Sequence, residues 1–481
     1  MKEQNREPKK PTLIHALIPI IFMVAALFVG IARYEADPHI PLFLSGVVAT
    51  IVAFSLGYRW KRLEEGMIRG ISLALQAVII LVIIGTIIGS WLAGGIVPTM
   101  IFYGLDILSP TYFLVAACAI SCIVAVASGN AWTAAGTIGI ALMGVGEGLG
   151  LNVGMVAGAV ISGIYFGDKV SPLSETTNLA PGVAGAELFE HIKHMMFTTI
   201  PALVISLIIY FVMGFWASGA GNSISQVAEL QAAIGDRFLV TPWLLIVPGM
   251  IIVMMVMKMP AIPALTIGSL MGIFCSIVVQ GVPVSDSISA LFYGYTSDTN
   301  NEILSNLLNN GGIEAMMYTV SLLIIALSFG GILETAGFFA VIVENLMKLA
   351  KSTGSLISTT VATSMTANVV GCEQYLSIII PARMYAGEYK KRRLKMKNLS
   401  RTVEDAGTMT SPLVPWNTCG AFMFATLGVS AFAYAPYAFL ALLSPIIAII
   451  YGYTGFTIEY EDDADEAALE EDMPSKQENA L

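Results

Sequence analysis

Two polar stretches that interrupt apolar runs are the places where this 481-residue chain could do chemistry. In the first, residues 167–178, Pro172 cannot continue a helical hydrogen-bond ladder, so the helix breaks and frees backbone carbonyls. Hydroxyl, amide and carboxylate oxygens beside such a break suit a hard cation such as Na⁺. A carboxylate that holds either Na⁺ or a proton is a minimal antiport device. The residues that we predict to bind there are Asp168, Ser171, Glu175, Thr176 and Asn178.

The second stretch, residues 404–418, contains Pro412 and Pro415 and again predicts a broken helix. Its acids Glu404 and Asp405 precede the break. They are either functional or caps of a helix start, because negative charge is favoured at a helix N-terminus. The predicted binding residues of this stretch are Asp405, Ser411 and Asn417.

Two short polar segments, residues 128–130 and 366–372, each separate a pair of apolar segments that are short for membrane crossings. We predict that each pair is a re-entrant hairpin, with its tip buried in protein or lining a cavity. Half-helix ends there present N–H groups to anions or carbonyls to cations. Glu373, beside the second tip, would be a costly buried charge unless it binds an ion or a proton. The predicted tip ligands are Ser128, Asn130, Thr133, Asn368 and Glu373.

Within this set, the predicted Na⁺ ligands are Asp168, Ser171, Asn178 and Glu373. The predicted titrating groups are Asp168, Glu373 and Asp405. The alternative for Asp168 is an ion pair with Lys169 that has no transport role. Arg383 either binds a substrate carboxylate or extends to the inner surface. His191 and His194, on a predicted short helix, are either a pH sensor or part of a solvated connector.

The composition limits the elements that must position these residues. The chain is 56% hydrophobic and 12% charged, against roughly 25% charged residues in soluble proteins. Apolar runs of about 20 residues recur, so we predict an all-α polytopic membrane protein. The five cysteines fall in apolar segments, which indicates buried thiols. Because no nucleophile–base pair, metal-ligand cluster or phosphate loop stands out, we expect no enzyme, no cofactor beyond transported ions and no nucleic-acid partner. A channel or a receptor is the alternative class.

The distribution of charge predicts the orientation. With two hairpins and a cytoplasmic N-terminus, twenty of the 24 Lys and Arg residues face the cytoplasm, seven of them within residues 390–401. Only Arg33 and Arg237 then face outside. Residues 459–481 hold ten acids and one base, which indicates a solvated tail. The first apolar run, 13–32, exceeds the typical signal-peptide core of about 7–15 residues, so we expect a retained helix.

The chain also repeats itself once. The Ser-Pro-Leu triplets at 171–173 and 411–413 lie 240 residues apart, and the two polar tips have almost the same separation. Each half then contains five crossings and one hairpin, and an odd number of crossings inverts the second half relative to the first. We therefore predict two inverted repeats, each with a re-entrant hairpin and an interrupted transmembrane helix. The predicted parts are a cytoplasmic N-terminus (1–12), a first repeat (13–235), a second repeat (236–455) and an acidic cytoplasmic tail (456–481).

Three polar motifs resemble the NhaC family of bacterial Na⁺/H⁺ antiporters. They are residues 128–137, residues 166–181 and residues 404–420, and the resemblance extends over about residues 10–455. At the second hairpin this chain has Glu373-Gln374-Tyr375 where the family usually has Asp-Gln-Tyr. The carboxylate is kept with one more methylene.

The resemblance implies a secondary transporter of the bacterial cytoplasmic membrane that exchanges Na⁺ for H⁺ by alternating access, with both termini in the cytoplasm. The family also has relatives similar to malate/lactate exchangers. Coupled exchange of small organic acids or amino acids with Na⁺ and H⁺ is therefore the alternative function. The implied partners are Na⁺, H⁺ and the lipid bilayer, and a homodimer is left open.

Overall fold

The computed structural model describes residues 8–34, 36–217, 223–296 and 311–461. These residues form helices joined by short connections, with one isolated bridge between Leu394 and Tyr460. The prediction of an all-α chain is confirmed. Two parts of the predicted topology lie outside the described residues. They are the N-terminal bases Lys2 and Arg6, expected in the cytoplasm, and the acidic tail from residue 462 onward.

The helices of the first half are α1 (Leu13–Tyr34), α2 (His39–Ser55), α3 (Trp60–Leu73), α4 (Leu75–Ala93), α5 (Ile96–Ile107), α6 (Pro110–Ser128), α7 (Ala131–Ala134), α8 (Ile140–Gly148), α9 (Val153–Val170), α10 (Glu175–Ala184), α11 (Leu188–Ala217) and α12 (Ser223–Arg237). Those of the second half are α13 (Ile246–Val256), α14 (Ala261–Val278), α15 (Val284–Tyr293), α16 (Gly312–Thr335), α17 (Phe338–Met347), α18 (Thr353–Gly371), α19 (Gln374–Lys391), α20 (Met396–Val403), α21 (Thr418–Leu427), α22 (Ala431–Tyr434) and α23 (Phe439–Thr454). Two π-helical turns, Ala135–Gly139 and Glu404–Thr408, continue α7 and α20.

Seven of the described helices are long and apolar enough to cross a membrane, and two bent helix pairs bring the number to nine. The bends are 94° between 227–237 and Pro242–Val256, and 90° between α21 and Ala431–Tyr437. A bilayer core about 30 Å thick needs about 20 apolar residues in a helix. The prediction of a multi-pass membrane protein is confirmed.

Both predicted hairpins are helix–turn–helix units with two-residue turns. Gly129 (φ 65°) follows α6 and Cys372 (φ 57°) follows α18, so a residue in the left-handed conformation stops each helix. The next residue, Asn130 or Glu373, caps the following helix with its side chain. α6 and α18 each have 19 residues, more than the sequence indicated. Residues 366–371, predicted as part of the second tip, are therefore helical, and the turn itself is Cys372-Glu373. That the hairpins are re-entrant stays a prediction.

The positions of left-handed residues support the internal repeat. Three such residues of the first half recur 242 or 243 residues later, at the same points between helices. The pairs are Gly95 with Gly337, Gly129 with Cys372, and Gly185 with Gly428. The opposite orientation of the two halves stays a prediction, as do the predicted domain boundaries.

Two segments differ from the sequence-based expectation. Residues 314–347 are one apolar segment in the sequence, but they form two helices, because Gly337 adopts φ 74° between α16 and α17. His191 and His194 lie on the 30-residue helix α11. Both histidines are buried, so the interpretation as a short, solvated connector is wrong. The predicted short helix does not end after the histidines, because an apolar run follows them directly and continues α11 to Ala217.

The helices pack in two groups. α6–α11 with α18–α23 hold both hairpins and both helix breaks, and α1–α4 with α13–α16 pack beside them. Within the first group α9 lies directly against α6, since a Cβ atom at Gly163 would come within 2.2 Å of the Cys118 carbonyl oxygen. Small residues let membrane helices approach this closely. The α6–α9 contact therefore fixes the first hairpin against the first helix break.

Gly163→Ala should lower the stability of the protein by about 1–3 kcal/mol, because the new methyl group overpacks the contact between α6 and α9. Thermal unfolding in detergent measures the change. Gly249→Ala in α13 is the matched control, since its Cβ would meet no atom within 4 Å. Equal unfolding temperatures for the two variants would contradict this account of the packing.

Candidate functional site

A cavity of about 60 Å³ lies where the two hairpin tips, the first helix break and the junction of α3 with α4 meet. Five of the residues predicted from the sequence line it: Asn130, Asp168, Glu175, Thr176 and Glu373. The other polar or aromatic lining residues are Gln76, Trp132, Gln374 and Tyr375. The structure therefore joins both tips to the first break in one site.

Asp168 lines this cavity and is 6% exposed. It stands in the last turn of α9, which ends at Val170 because Pro172 follows. The Ser174 hydroxyl donates to its Oδ1 atom at 2.9 Å. The backbone N–H of Ala131, at the first hairpin tip, also faces the carboxylate. The helix break and the hairpin tip therefore position this carboxylate together.

Glu373 enters the same cavity from the second hairpin and is 3% exposed. Its side chain caps α19 by accepting the Tyr375 N–H at 3.4 Å. The Thr418 side chain, at the start of α21, also interacts with the carboxylate. The Thr418 N–H donates to the Cys372 carbonyl at 3.0 Å, which ties the second break to the second tip.

Glu175 is the exposed carboxylate of the cavity. The Tyr375 hydroxyl donates to Glu175 Oε2, and Gln76 Nε2 donates to Glu175 Oε1 at 3.4 Å. Three elements from different parts of the chain, α4, α10 and α19, thus meet at this carboxylate. The remaining cavity hydroxyl, that of Thr176, lies 3.1 Å from Ser174 Oγ.

Each hairpin contacts the half-helix that follows the break of the other repeat. Tyr375 of the second hairpin bonds Glu175 in α10. Trp132 of the first hairpin stacks on Phe422 in α21, with ring centroids 4.4 Å apart and an interplanar angle of 15°. Trp132 and Tyr375 each stand two residues after the capping residue of their tip. The two contacts hold the halves of the protein together around the cavity.

Only two of the four predicted Na⁺ ligands face the cavity. Asp168 and Glu373 line the cavity. The buried Ser171 hydroxyl donates instead to the Val126 carbonyl at 2.9 Å. Asn178 uses its amide group to donate to the carbonyls of Pro172 at 2.9 Å and Ser174 at 2.6 Å. Ser171 and Asn178 therefore shape the break, and the two carboxylates face the cavity.

The first tip is arranged by its own polar side chains. Asn130 accepts both the N–H and the hydroxyl of Thr133, at 3.0 and 3.1 Å. The Ser128 hydroxyl donates to the carbonyls of Ala125 and Asn130, each at 3.3 Å. Ser128 and Thr133 are therefore turn-forming residues, and only Asn130 of the three lines the cavity.

The predicted residues Asn368, Ser411 and Asn417 are fully buried and do not line the cavity. Asn417 donates to the Asn368 carbonyl at 3.1 Å, and Asn368 donates to the Gly407 carbonyl at 2.7 Å. The Ser411 hydroxyl donates to the Thr408 carbonyl at 2.8 Å. The two bonds of Asn368 attach the second break to the second hairpin, and the Ser411 bond lies within the break.

Asp405 lies outside the cavity and forms an ion pair with Lys169, and both side chains are fully buried. The Thr198 hydroxyl donates to Asp405 Oδ1 at 2.9 Å. Asp405 belongs to the π-helical turn that continues α20, so it does not cap a helix start. The partner of Lys169 is this acid, 236 residues away in sequence, and not the adjacent Asp168.

Sequence reasoning missed Gln76, Trp132, Ser174 and Tyr375 as parts of the site. Gln76 carried a usable signal, because it is a single amide side chain within the apolar segment 70–94. The other three stand beside predicted residues, and only the fold shows which way they point. Arg383 is exposed on α19 and does not line the cavity.

The arrangement matches a known family. The Na⁺/H⁺ antiporter family matches residues 163–456, which include both helix breaks and the second hairpin. The chain is 38% identical over 454 residues to the Na⁺/H⁺ antiporter NhaC of Alkalihalophilus pseudofirmus, covering 94% of this chain and 98% of that one. This chain belongs to the Na⁺/H⁺ antiporter family. The predicted family is confirmed.

Other relatives of this chain carry different names at similar identity. The malate-2H⁺/Na⁺-lactate antiporter of Bacillus subtilis is 38% identical over 455 residues, covering 95% of this chain and 97% of its own. The arginine/ornithine antiporter ArcD of Halobacterium salinarum is 37% identical over 459 residues, covering 94% of each chain. Overall similarity therefore shows that the chain is an antiporter. Its substrate has to be inferred from the residues of the site.

A cysteine placed at Gln76 should react with a water-soluble thiol reagent, because this residue lines the cavity at its exposed side. The five native cysteines are buried and would be replaced first. Bound Na⁺ should slow the labelling of Gln76→Cys. Ser411→Cys is the control, since Ser411 is fully buried and outside the cavity. Equal labelling rates of the two cysteines would contradict the position of the cavity.

Proposed function

We propose that the cavity binds Na⁺ and protons alternately and that the protein exchanges Na⁺ for H⁺ by alternating access. The observation that carries the proposal is the charge of the cavity wall. Its lining contains three carboxylates, Asp168, Glu175 and Glu373, and no Lys or Arg among the described residues. A site with this charge attracts cations.

Two of these carboxylates, Asp168 and Glu373, are almost fully buried. An unpaired buried charge is costly, and removal of one partner of a buried pair costs about 3–5 kcal/mol. Either a bound Na⁺ or a bound proton neutralises the same buried carboxylate. The two ions therefore compete, and this competition couples the uptake of one to the release of the other.

The wall of the cavity supplies further oxygen ligands for a dehydrated cation. The amide oxygens of Asn130 and Gln374 and the hydroxyl of Thr176 belong to lining residues. Hard cations prefer such oxygen ligands. A space of about 60 Å³ accommodates an ion with a few water molecules, since one water needs about 10–15 Å³ by this measure.

Exchange of an organic solute is the second candidate, because the malate/lactate and arginine/ornithine antiporters are equally similar to this chain. A cavity wall with three acids repels an organic anion such as malate or lactate. A cationic amino acid fits the charge of the cavity but requires more space than the cavity encloses. The geometry therefore favours Na⁺ and H⁺ as the exchanged ions.

The proposed location is the bacterial plasma membrane, with both termini in the cytoplasm. The excess of Lys and Arg on one side of the predicted topology supports this orientation. The cavity rim at residues 73–76 follows the basic segment 59–69 along the chain, so we place the cavity mouth on the cytoplasmic side. A homodimer stays a prediction.

Asp168→Asn should abolish Na⁺-driven proton movement, because the amide holds neither a titrating proton nor the charge that binds Na⁺. Loss of a buried charged ligand costs about 3 kcal/mol, which corresponds to roughly a hundredfold in apparent Na⁺ affinity. The measurement is the pH inside proteoliposomes after an external Na⁺ pulse, with and without malate, lactate, arginine or ornithine.

Asp286→Asn is the matched control, since Asp286 is an exposed acid outside the cavity. This variant should transport as the wild type does. Unchanged exchange in Asp168→Asn would contradict the proposed site. A wild-type response that requires an organic solute would replace Na⁺/H⁺ exchange with the second candidate.

A further inference from the structure

A series of polar side chains, most of them buried, leads from the cavity to the protein surface at the C-terminal segment. This polar column consists of Glu404, Lys169, Asp405, His191, His194 and Glu459. None of the six lines the cavity. The proposed ion exchange at the cavity uses none of them, so their burial needs another explanation.

The inner end of the polar column touches the cavity. Glu404 is fully buried and interacts with the side chain of the cavity residue Thr176 and with the charges of Asp168 and Lys169. Its Oε1 atom accepts the Thr408 hydroxyl at 2.8 Å. Its Oε2 atom has no hydrogen-bond partner among the described residues. Glu404 therefore places a free carboxylate oxygen directly behind the cavity.

The middle of the polar column is the ion pair of Lys169 and Asp405. Oδ2 of Asp405 has no hydrogen-bond partner among the described residues. Next to the pair stands His191, whose Nδ1 atom lies 2.8 Å from Ser400 Oγ and whose ring interacts electrostatically with Lys169. The Nε2 atom of His191 is likewise without a partner in the described part of the chain.

One face of α11 lines this part of the polar column. His191, His194 and Thr198 follow each other at intervals of three and four residues, which puts them on the same side of the helix. All three are buried. Thr198 bonds Asp405 at the inner end of this face, and His194 approaches Glu459 at the outer end.

The outer end of the polar column reaches solvent. His194 Nδ1 lies 3.4 Å from Glu459 Oε1, and the Glu459 side chain is 40% exposed. Lys397 pairs with Glu459 Oε2 at 2.6 Å. Lys397 also lies 3.6 Å from Glu190 Oε2, and the buried Arg401 donates to Thr457 Oγ1 at 2.8 Å.

A buried polar atom without a hydrogen bond costs about 1–3 kcal/mol. The polar column contains such atoms at Glu404, Asp405, His191 and His194. Groups that take up and release protons need an unoccupied lone pair or N–H, and chains of Asp, Glu and His within membrane proteins are typical proton relays. These four side chains therefore share what proton transfer requires, namely a polar atom that is free of hydrogen bonds within the described residues.

We propose that the polar column conducts protons between the cavity carboxylates and the surface at Glu459, on a route separate from the cavity mouth through which Na⁺ enters. This proposal rests on the proposed Na⁺/H⁺ exchange. The buried ion pair of Lys169 and Asp405 forms the middle of this route.

The proton balance is simple. Na⁺ displaces a proton from Asp168. The proton passes along the hydroxyls of Ser174 and Thr176 to Glu404, and from Glu404 to the adjacent Asp405, directly or through water. His191 accepts it at one ring nitrogen and releases a proton from the other, and His194 does the same toward Glu459, directly or through water. Each group returns to its initial charge, and each imidazole regains its first tautomer when the ring reorients, so one proton leaves the cavity for each displacement by Na⁺.

Two fluxes measured in proteoliposomes separate this route from the ion site. Na⁺-driven proton movement needs the proton route, whereas exchange of ²²Na⁺ for Na⁺ needs only the cavity. His191→Gln should slow the first flux by about tenfold or more, since a positioned proton-transfer group contributes at least that much, and should leave the second at the wild-type rate. Glu404→Gln should give the same pattern.

His39→Gln is the matched control, because His39 lies on α2 and bonds Tyr318 and Ser321 away from the polar column. It should change neither flux. Asp168→Asn should reduce both fluxes, as expected for the ion site. Each variant is assayed only if its unfolding temperature matches that of the wild type, and His194→Gln replaces His191→Gln if the latter is unstable.

Wild-type Na⁺-driven proton movement in His191→Gln and Glu404→Gln would overturn the proton route. An equal loss of both fluxes in these variants would also overturn it, because the polar column would then belong to the ion site. Failure of the proposed function gives a different result, namely no Na⁺-driven proton movement in the wild type.

Discussion

The cost of burying carboxylates is the constraint on which the rest of this structure depends. Asp168 and Glu373 are almost completely excluded from solvent, and a charged group inside a membrane protein persists only if it is paired or functional. The chain meets this requirement by placing Asp168 against the first hairpin tip and Ser174, and by placing Glu373 at the start of α19. Backbone N–H groups and hydroxyls then face the carboxylates, and the cation of the proposed exchange would complete the compensation.

The two halves of the chain build this site together. Each hairpin is bonded to the break of its own half, through Ser171 and Val126 in the first and through Thr418 and Cys372 in the second. Each hairpin also contacts the half-helix of the other half, through Tyr375 and Trp132. A movement of one hairpin therefore changes both carboxylate positions, which is what alternating access to one site requires.

The helix breaks and the hairpins could be predicted from the sequence, because they depend on residues that are close together along the chain. Pro172 and Pro412 showed the helix breaks, and the polar tips showed the hairpins. Pairing across the chain could not be predicted, because Lys169 stands beside Asp168 in sequence and 236 residues from its partner Asp405. For the same reason Ser171 and Asn178 were predicted as Na⁺ ligands, although Ser171 bonds a carbonyl of the first hairpin and Asn178 bonds carbonyls of the break.

Competition between Na⁺ and protons for one cavity is the central claim, and the pH dependence of Na⁺ binding to the purified protein tests it most directly. If one proton must leave before one Na⁺ binds, the apparent Na⁺ dissociation constant should rise up to about tenfold for each unit that the pH falls below the titration of the site. Asp168→Asn should remove this dependence together with the binding. A Na⁺ affinity that is the same at every pH would contradict the account.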